Sequence, residues 1–309
     1  MKYLPSSLHN TFSEVLKNRM IQDEDYSLIS LVGALKWFGR LFFGSVYVND
    51  TDPNVVTLIV AVGKKPTVEN IEAAVADPDY LCEQWKYSAD ESSVKYNNDI
   101  LFVWVDKKCE CDWTAAELII KRSSTFRIKA MRETLLESFR QSFHQYYCKS
   151  FVRADPCILH GNNISSFPCP DGYVIRKLNV EETDVAMKSY KFASELRNQL
   201  VMATCQGFAV GAYHTSSNTL AACVFLNWDG SISALQTFEG HRRKGLAKTI
   251  VSHLGKMLFE EEAPVFCYVE KEISSEMRDM NLALYGKLAF ESQTDTIVAW
   301  ASMSLCDST

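Results

Sequence analysis

Between Ser231 and Leu258 the chain changes its period, and that change constrains the fold more than any other feature. The β-prone run "SISALQTF" leads into "EGHRRKGLAKTIV", where His241, Arg242, Arg243, Lys244 and Lys248 surround a single glycine, Gly245. Apolar residues then recur at helical spacing: Ala247, Ile250, Val251, Leu254, Met257 and Leu258. A strand that ends in a short basic turn and enters a helix aims the helix's unsatisfied amides out of a loop, and such amides bind phosphate. Gly245 lets the backbone approach a pyrophosphate closely, while Arg242, Arg243 and Lys244 add charge around it. The spacing is neither G-x-x-x-x-G-K-[ST] nor G-x-G-x-x-G, which disfavours nucleoside triphosphate and dinucleotide sites.

That basic turn sits in an acidic chain. With 309 residues and a formal net charge of −6 there is no uniform positive field, so a nucleic-acid partner is not expected and the cations must act locally. The length suits roughly two domains. An apolar fraction of 47% with 23% charged residues is that of an ordinary folded protein. The 10 cysteines are scattered, with only Cys109 and Cys111 close together. They read as reduced thiols of an intracellular protein, and no second pair or histidine at ligand spacing makes a metal site there. The most apolar region, from Leu28 to Val48, is interrupted by Lys36 and Arg40, so no membrane span is expected. The first twenty residues lack a secretory signal and make a poor mitochondrial presequence, which favours the cytoplasm over the mitochondrial matrix. No G-x-S-x-G or H-E-x-x-H supports a hydrolase.

The two halves read differently. "VVTLIVAV" (55–62) and "DILFVWVD" (99–106) are strands, with a helix-like "TVENIEAAVADP" between them. Residues 111–147 read as helical material broken near Ser123 and Ser124. This gives an N-terminal α/β domain over 1–150. Residues 151–171, rich in Pro, Gly, Asn and Ser, read as a linker. A second domain over 172–309 opens with a strand at Tyr173 to Lys177 and a helix N-capped at Asn179 or Thr183. "GFAVGAYH" and "TLAACVFLNW" follow as strands flanking "TSSN", then a turn at Asp229 and Gly230, and later the strand "PVFCYVE" (264–270).

Arg242-x-x-Gly245-x-Ala247 resembles the acyl-CoA pyrophosphate loop of the GCN5-related N-acetyltransferase superfamily, [RQ]-x-x-G-x-[GA]. "LALYGKLAF" (282–290) is similar to the superfamily's closing LYxKxGF motif, with Ala289 where glycine is usual. Taken with the order of elements over 172–302, the chain resembles the glycine N-acyltransferase-like family.

The resemblance implies an α+β fold: a mixed, V-shaped splayed sheet of acyl-CoA N-acyltransferase type, with an additional N-terminal α/β domain for which a degenerate copy of the same fold is one reading. Acyl-CoA would be the co-substrate. Its pantetheine would lie along backbone at Leu235 and Thr237. Its pyrophosphate would rest on Arg242, Arg243, Lys244, Gly245, Leu246, Ala247 and Lys248, with Thr249 in reach of a phosphate or pantetheine oxygen. Tyr285 matches the tyrosine that protonates the leaving thiolate, a task a neutral phenol performs near neutral pH. The family also carries a carboxylate early in the strand before the loop, whereas Ser231 stands there. Asp229, Glu239, His241 or Glu270 acting through a water are the substitutes, with Asp229 or a water chain the one expected; otherwise the amine is taken already deprotonated and the rate climbs with pH. The implied function is acyl transfer from acyl-CoA to the amino group of glycine or another small amine. A protein or polyamine acetyltransferase, and a non-catalytic acyl-CoA-binding protein, remain as alternatives.

Overall fold

A computed structural model describes the chain apart from residues 38–39, 42, 65–68, 70–71, 74–75, 77–95, 107–108, 110–112, 121–122, 160–163, 165, 189, 191–192, 288–289, 293–296 and 306–309. The N-terminal half comprises β1 (Lys2–Tyr3), α1 (His9–Gln22), α2 (Ile29–Lys36), β2 (Phe43–Val48), β3 (Leu58–Lys64), β4 (Tyr96–Val105), α3 (Thr114–Ile120), β5 (Ser123–Arg132), α4 (Glu133–Ser142) and β6 (Tyr146–Leu159). The C-terminal half comprises β7 (Tyr173–Lys177), α5 (Val180–Met187), α6 (Ala193–Cys205), β8 (Ala209–His214), β9 (Thr219–Leu226), β10 (Ser231–Thr237), α7 (Leu246–Glu260), β11 (Phe266–Glu270), α8 (Ser275–Lys287), β12 (Phe290–Ser292) and β13 (Ile297–Leu305).

The second half repeats the element order of the first: strand, two helices, three strands, helix, strand, helix, strand, with β12 added. In each half the fourth and fifth strands, β4 with β5 and β10 with β11, run parallel across a helical crossover, while the earlier strands are antiparallel. The closing strands are exchanged. β6 pairs with β11 of the other half, and β13 returns to pair with β5 as well as with β6. One sheet therefore runs β1-β2-β3-β4-β5-β13-β6-β11-β10-β9-β8-β7, an open mixed sheet with helices on its faces.

Two expectations are corrected here. Residues 123–132 form strand, not helix: Phe126 and Ile128 are buried in alternation, and the strand lies between β4 and β13. The segment 151–171 begins as strand rather than loop, because β6 continues to Leu159 beside β11. The helix expected over 67–78 lies largely outside the described residues, as do Cys111 and Ala289. In the second half Asn179 caps α5 in a capping box with Glu182, and the Tyr173 to Lys177 strand has the expected bounds.

Helix α2, "ISLVGALK", is buried at every position from Ile29 to Leu35, as a helix apolar on all sides must be. It is wedged between the halves. Arg40 just beyond it bonds Gln206 (3.3 Å) and Glu261 (3.2 Å), and Trp37 stacks edge-on against Phe208. The largest apolar cluster consequently joins residues of α1 and α2 to residues of α7, β8 and β9, so the halves share a core. Among the described residues no helix is long and apolar enough to cross a membrane.

Candidate functional site

The two parallel pairs differ in one respect that matters chemically. β4 and β5 stay paired from Tyr96 against Ser123 to Phe102 against Lys129, through two register shifts between Tyr96 and Asp99. β10 and β11 pair only at Ser231 with Phe266 and Ile232 with Cys267. Beyond that last rung β11 continues along β6 to Glu270, and β10 along β9 to Thr237, so the two strands splay into a V. A bulge drives the departure. The β10–β9 register shifts between Ser233 and Gln236, and Ala234 takes a left-handed φ of 49°, which bends a strand away from its neighbour. Leu235 and Thr237 thus lie on a strand edge that β11 does not cover.

The basic turn stands at the open end of the V. Gly240 (φ 82°), Arg243 (φ 62°) and Gly245 (φ 84°) are all left-handed, and Gly245 is the N-cap of α7. The first turn of α7 leaves the amides of Leu246, Ala247 and Lys248 without helical acceptors, and α7 adds its positive dipole end. Arg242, Arg243 and Lys244 are exposed around it. Several of these side chains are tethered: Arg242 Nε donates to the Thr237 carbonyl (3.3 Å), Lys244 Nζ to the Tyr173 hydroxyl (2.9 Å), and Lys248 lies over the Phe167 ring. Tyr173 also bonds His241 Nδ1 at 2.9 Å, so β7 braces the turn. Partial burial, then Lys244 and His214, lowers the His241 pKa, leaving that imidazole neutral beside the cations. A phosphate-bearing ligand fits this cradle, because α7 begins there with open amides and the exposed cations surround them.

Thr249 lies in the first turn of α7. Its hydroxyl donates to the carbonyls of Gly245 (3.2 Å) and Pro168 (3.4 Å), and it is buried against the 166–169 segment, where a cavity of about 330 Å³ opens between α7 and β7. It supports the turn from behind.

Tyr285 on α8 is buried and is hydrogen-bonded with Cys267, the β11 residue of the last rung. Burial, then the Cys267 thiol, pushes its pKa well above the ordinary tyrosine value, so it holds its proton. It stands at the apex of the V.

Ser231 and Asp229 are brought together. Asp229 is fully buried in the turn joining β9 to β10, where Gly230 is left-handed (φ 82°) and its amide bonds the Asn227 carbonyl. Asp229 Oδ1 accepts from the Ser231 amide (3.1 Å) and from Ser231 Oγ (2.6 Å). Its Oδ2 accepts from Ser30 Oγ at 3.2 Å. Ser30 belongs to α2, and its hydroxyl is also hydrogen-bonded with that of Tyr268 on β11. The sequence offers no signal for this approach, since Ser30 sits inside an apolar helix and Tyr268 inside an apolar strand.

Residues 209–299, from β8 into β13, match a family model described as FR47-like protein. No curated protein matches the chain. A crystal structure of a Drosophila protein, a structural-genomics target, is similar over 100% of this chain and 99% of that one, at 12% identity with a TM-score of 0.69. A GCN5-related N-acetyltransferase from Sphaerobacter thermophilus covers 81% of this chain and 77% of its own at 10% identity, TM-score 0.48. A tandem GNAT protein from the clavulanic acid biosynthesis pathway covers 91% and 89% at 14% identity, TM-score 0.49. The matched segment contains the splayed β10 and β11, the basic turn and α7, and the likeness to the Drosophila protein over the whole chain is one of fold.

Proposed function

We propose that the protein transfers the acyl group of an acyl-CoA to the amino group of glycine or another small amine, by direct attack on the thioester. The observation that carries this reading is the opening of β10 from β11 immediately past the Ile232–Cys267 rung, with the left-handed cap of α7 at its mouth. The pantetheine would lie along the uncovered edge of β10 at Leu235 and Thr237, adding the strand that β11 withholds. The pyrophosphate would meet the amides from Arg243 to Lys248. The thioester would then reach the apex, where Tyr285 holds a proton for the leaving thiolate. Among the described residues only the second half has both the splay and the basic turn, so we assign the chemistry to residues 172–309. Residues 1–150 serve as a degenerate copy that closes the base of the site, joined to it through 151–171.

The experiment is release of free CoA thiol from acetyl-, benzoyl- and medium-chain acyl-CoA, with and without glycine and a panel of other amines. Release that depends on the amine, and that Arg242→Glu with Arg243→Glu abolishes, is the expected result. Stabilisation by CoA without turnover of any amine would replace this reading with an acyl-CoA-binding protein. A preference for polyamines or peptide lysines over small amino acids would move the acceptor class.

A further inference from the structure

We propose that Tyr268, Ser30 and Asp229 form a proton relay that deprotonates the acceptor amine, with its middle hydroxyl supplied by the N-terminal half. This inference rests on the acyltransferase reading above and assigns the step for which β10 offers no exposed carboxylate.

The hydrogen bonds give the relay a direction. Ser30 Oγ donates to Asp229 Oδ2, so the bond it shares with Tyr268 is one in which the phenol donates. The order is therefore Tyr268 to Ser30 to Asp229, with the lone pairs of the Tyr268 oxygen left to accept. Asp229 is fully buried and Ser30 is fully buried, so neither can meet a substrate. Tyr268 is partly exposed and stands on β11 one residue past the last rung shared with β10, where the V begins to open. It is the one member of the three placed to touch an amine.

The step balances as follows. The ammonium N–H gives its proton to the Tyr268 oxygen as the phenol proton moves to Ser30 Oγ and the Ser30 proton to Asp229. The freed nitrogen lone pair attacks the thioester carbonyl; the C–N bond forms, the C–S bond breaks, and its electron pair leaves on sulfur, which takes the Tyr285 proton. The second proton that the nitrogen sheds as the amide forms passes to solvent, from which Tyr285 is reprotonated. Asp229 later returns its proton along the same path to solvent. Tyr268 need not ionise, and burial, then the Asp229 charge, holds its pKa well above the ordinary value. Asp229, the Ser30 hydroxyl and the Cys267 thiol are the groups that bear on its titration.

The test uses the full chain with its best acyl-CoA and amine, comparing Ser30→Ala, Tyr268→Phe and their double variant by steady-state kinetics from neutral to alkaline pH. Each single variant is expected to lower kcat at least thirtyfold near neutral pH with KM for acyl-CoA within twofold. The double variant should be no slower than the singles, since the groups act as a unit. The deficit should shrink at alkaline pH, where the amine arrives neutral. Wild-type kcat in Ser30→Ala, losses that multiply in the double variant, or a deficit constant with pH would each overturn the relay while leaving acyl transfer intact. Failure of the wild type to acylate any amine would overturn the acyltransferase reading and the relay with it.

Discussion

Gly33 and Asp229, from opposite halves of the chain, touch backbone to backbone: a Cβ at Gly33 would overlap the carbonyl oxygen of Asp229 and lie 3.3 Å from the Phe266 ring. On the other side of the contact a Cβ at Gly230 would sit 3.1 Å from the Gly33 Cα and 3.0 Å from Trp37. This close approach is what lets Ser30, one turn earlier on α2, reach Asp229 and Tyr268.

Gly33→Ala tests that approach with an unusual sign. In an unconstrained helix interior the change stabilises by about 1 kcal/mol through helix propensity. Here it forces α2 from the β9–β10 turn, and overpacking of this kind costs about 1–3 kcal/mol. A lowered Tm together with reduced kcat is expected; a raised Tm would show that α2 is not held against Asp229.

Gly245→Ala places a side chain where the backbone is left-handed (φ 84°), which costs roughly 1–2 kcal/mol for an L-residue. The strain falls on the α7 N-terminus, not on the core. KM for acyl-CoA is expected to rise several-fold or more with kcat less affected, read from initial rates over a range of acyl-CoA concentrations.

Tyr285→Phe keeps the buried ring and removes the proton. Loss of a general acid is typically worth about 10²–10⁴ in rate. A fall in kcat of at least a hundredfold is expected with acyl-CoA affinity retained, measured by turnover and by CoA-induced thermal stabilisation. Unchanged kcat would leave Tyr285 as a core residue bonded to Cys267.

His9 predicts the acid limb of the stability curve. It is buried, its ring nitrogen Nε2 bonds the Leu4 carbonyl at 3.2 Å, and burial lowers its pKa to about 4. A folded pKa below the unfolded one means that the unfolded chain binds the proton first. Its contribution is therefore fully present above about pH 6.5 and is lost as pH falls toward 4, by up to roughly 3 kcal/mol. Denaturant midpoints measured from pH 7 to 4 should fall in the wild type and fall less steeply in His9→Gln.

Local signals made much of the second half legible from sequence. The Asn179–Glu182 capping box, the Asp229–Gly230 turn and the switch from strand to helical period around Gly245 each depend on residues within a few positions of one another. The N-terminal half was harder. The 123–132 strand alternates buried Phe126 and Ile128 with Arg127 and Lys129, a period-two signal that was present but overshadowed by helix-forming residues on both sides. Its partners β4 and β13 decide the matter, and one of them lies at the far end of the chain.

The sequence by itself determined the basic turn at Gly245, because glycine's left-handed freedom, the neighbouring cations and a helix start are properties of contiguous residues. Only the tertiary structure decided the exchange of β6 and β13, the splay of β10 from β11, and the meeting of Ser30, Asp229 and Tyr268. Those depend on which strands pair and where a bulge ends the pairing. Such contacts join residues that no periodicity links, and they form only when the shared core of the two halves closes.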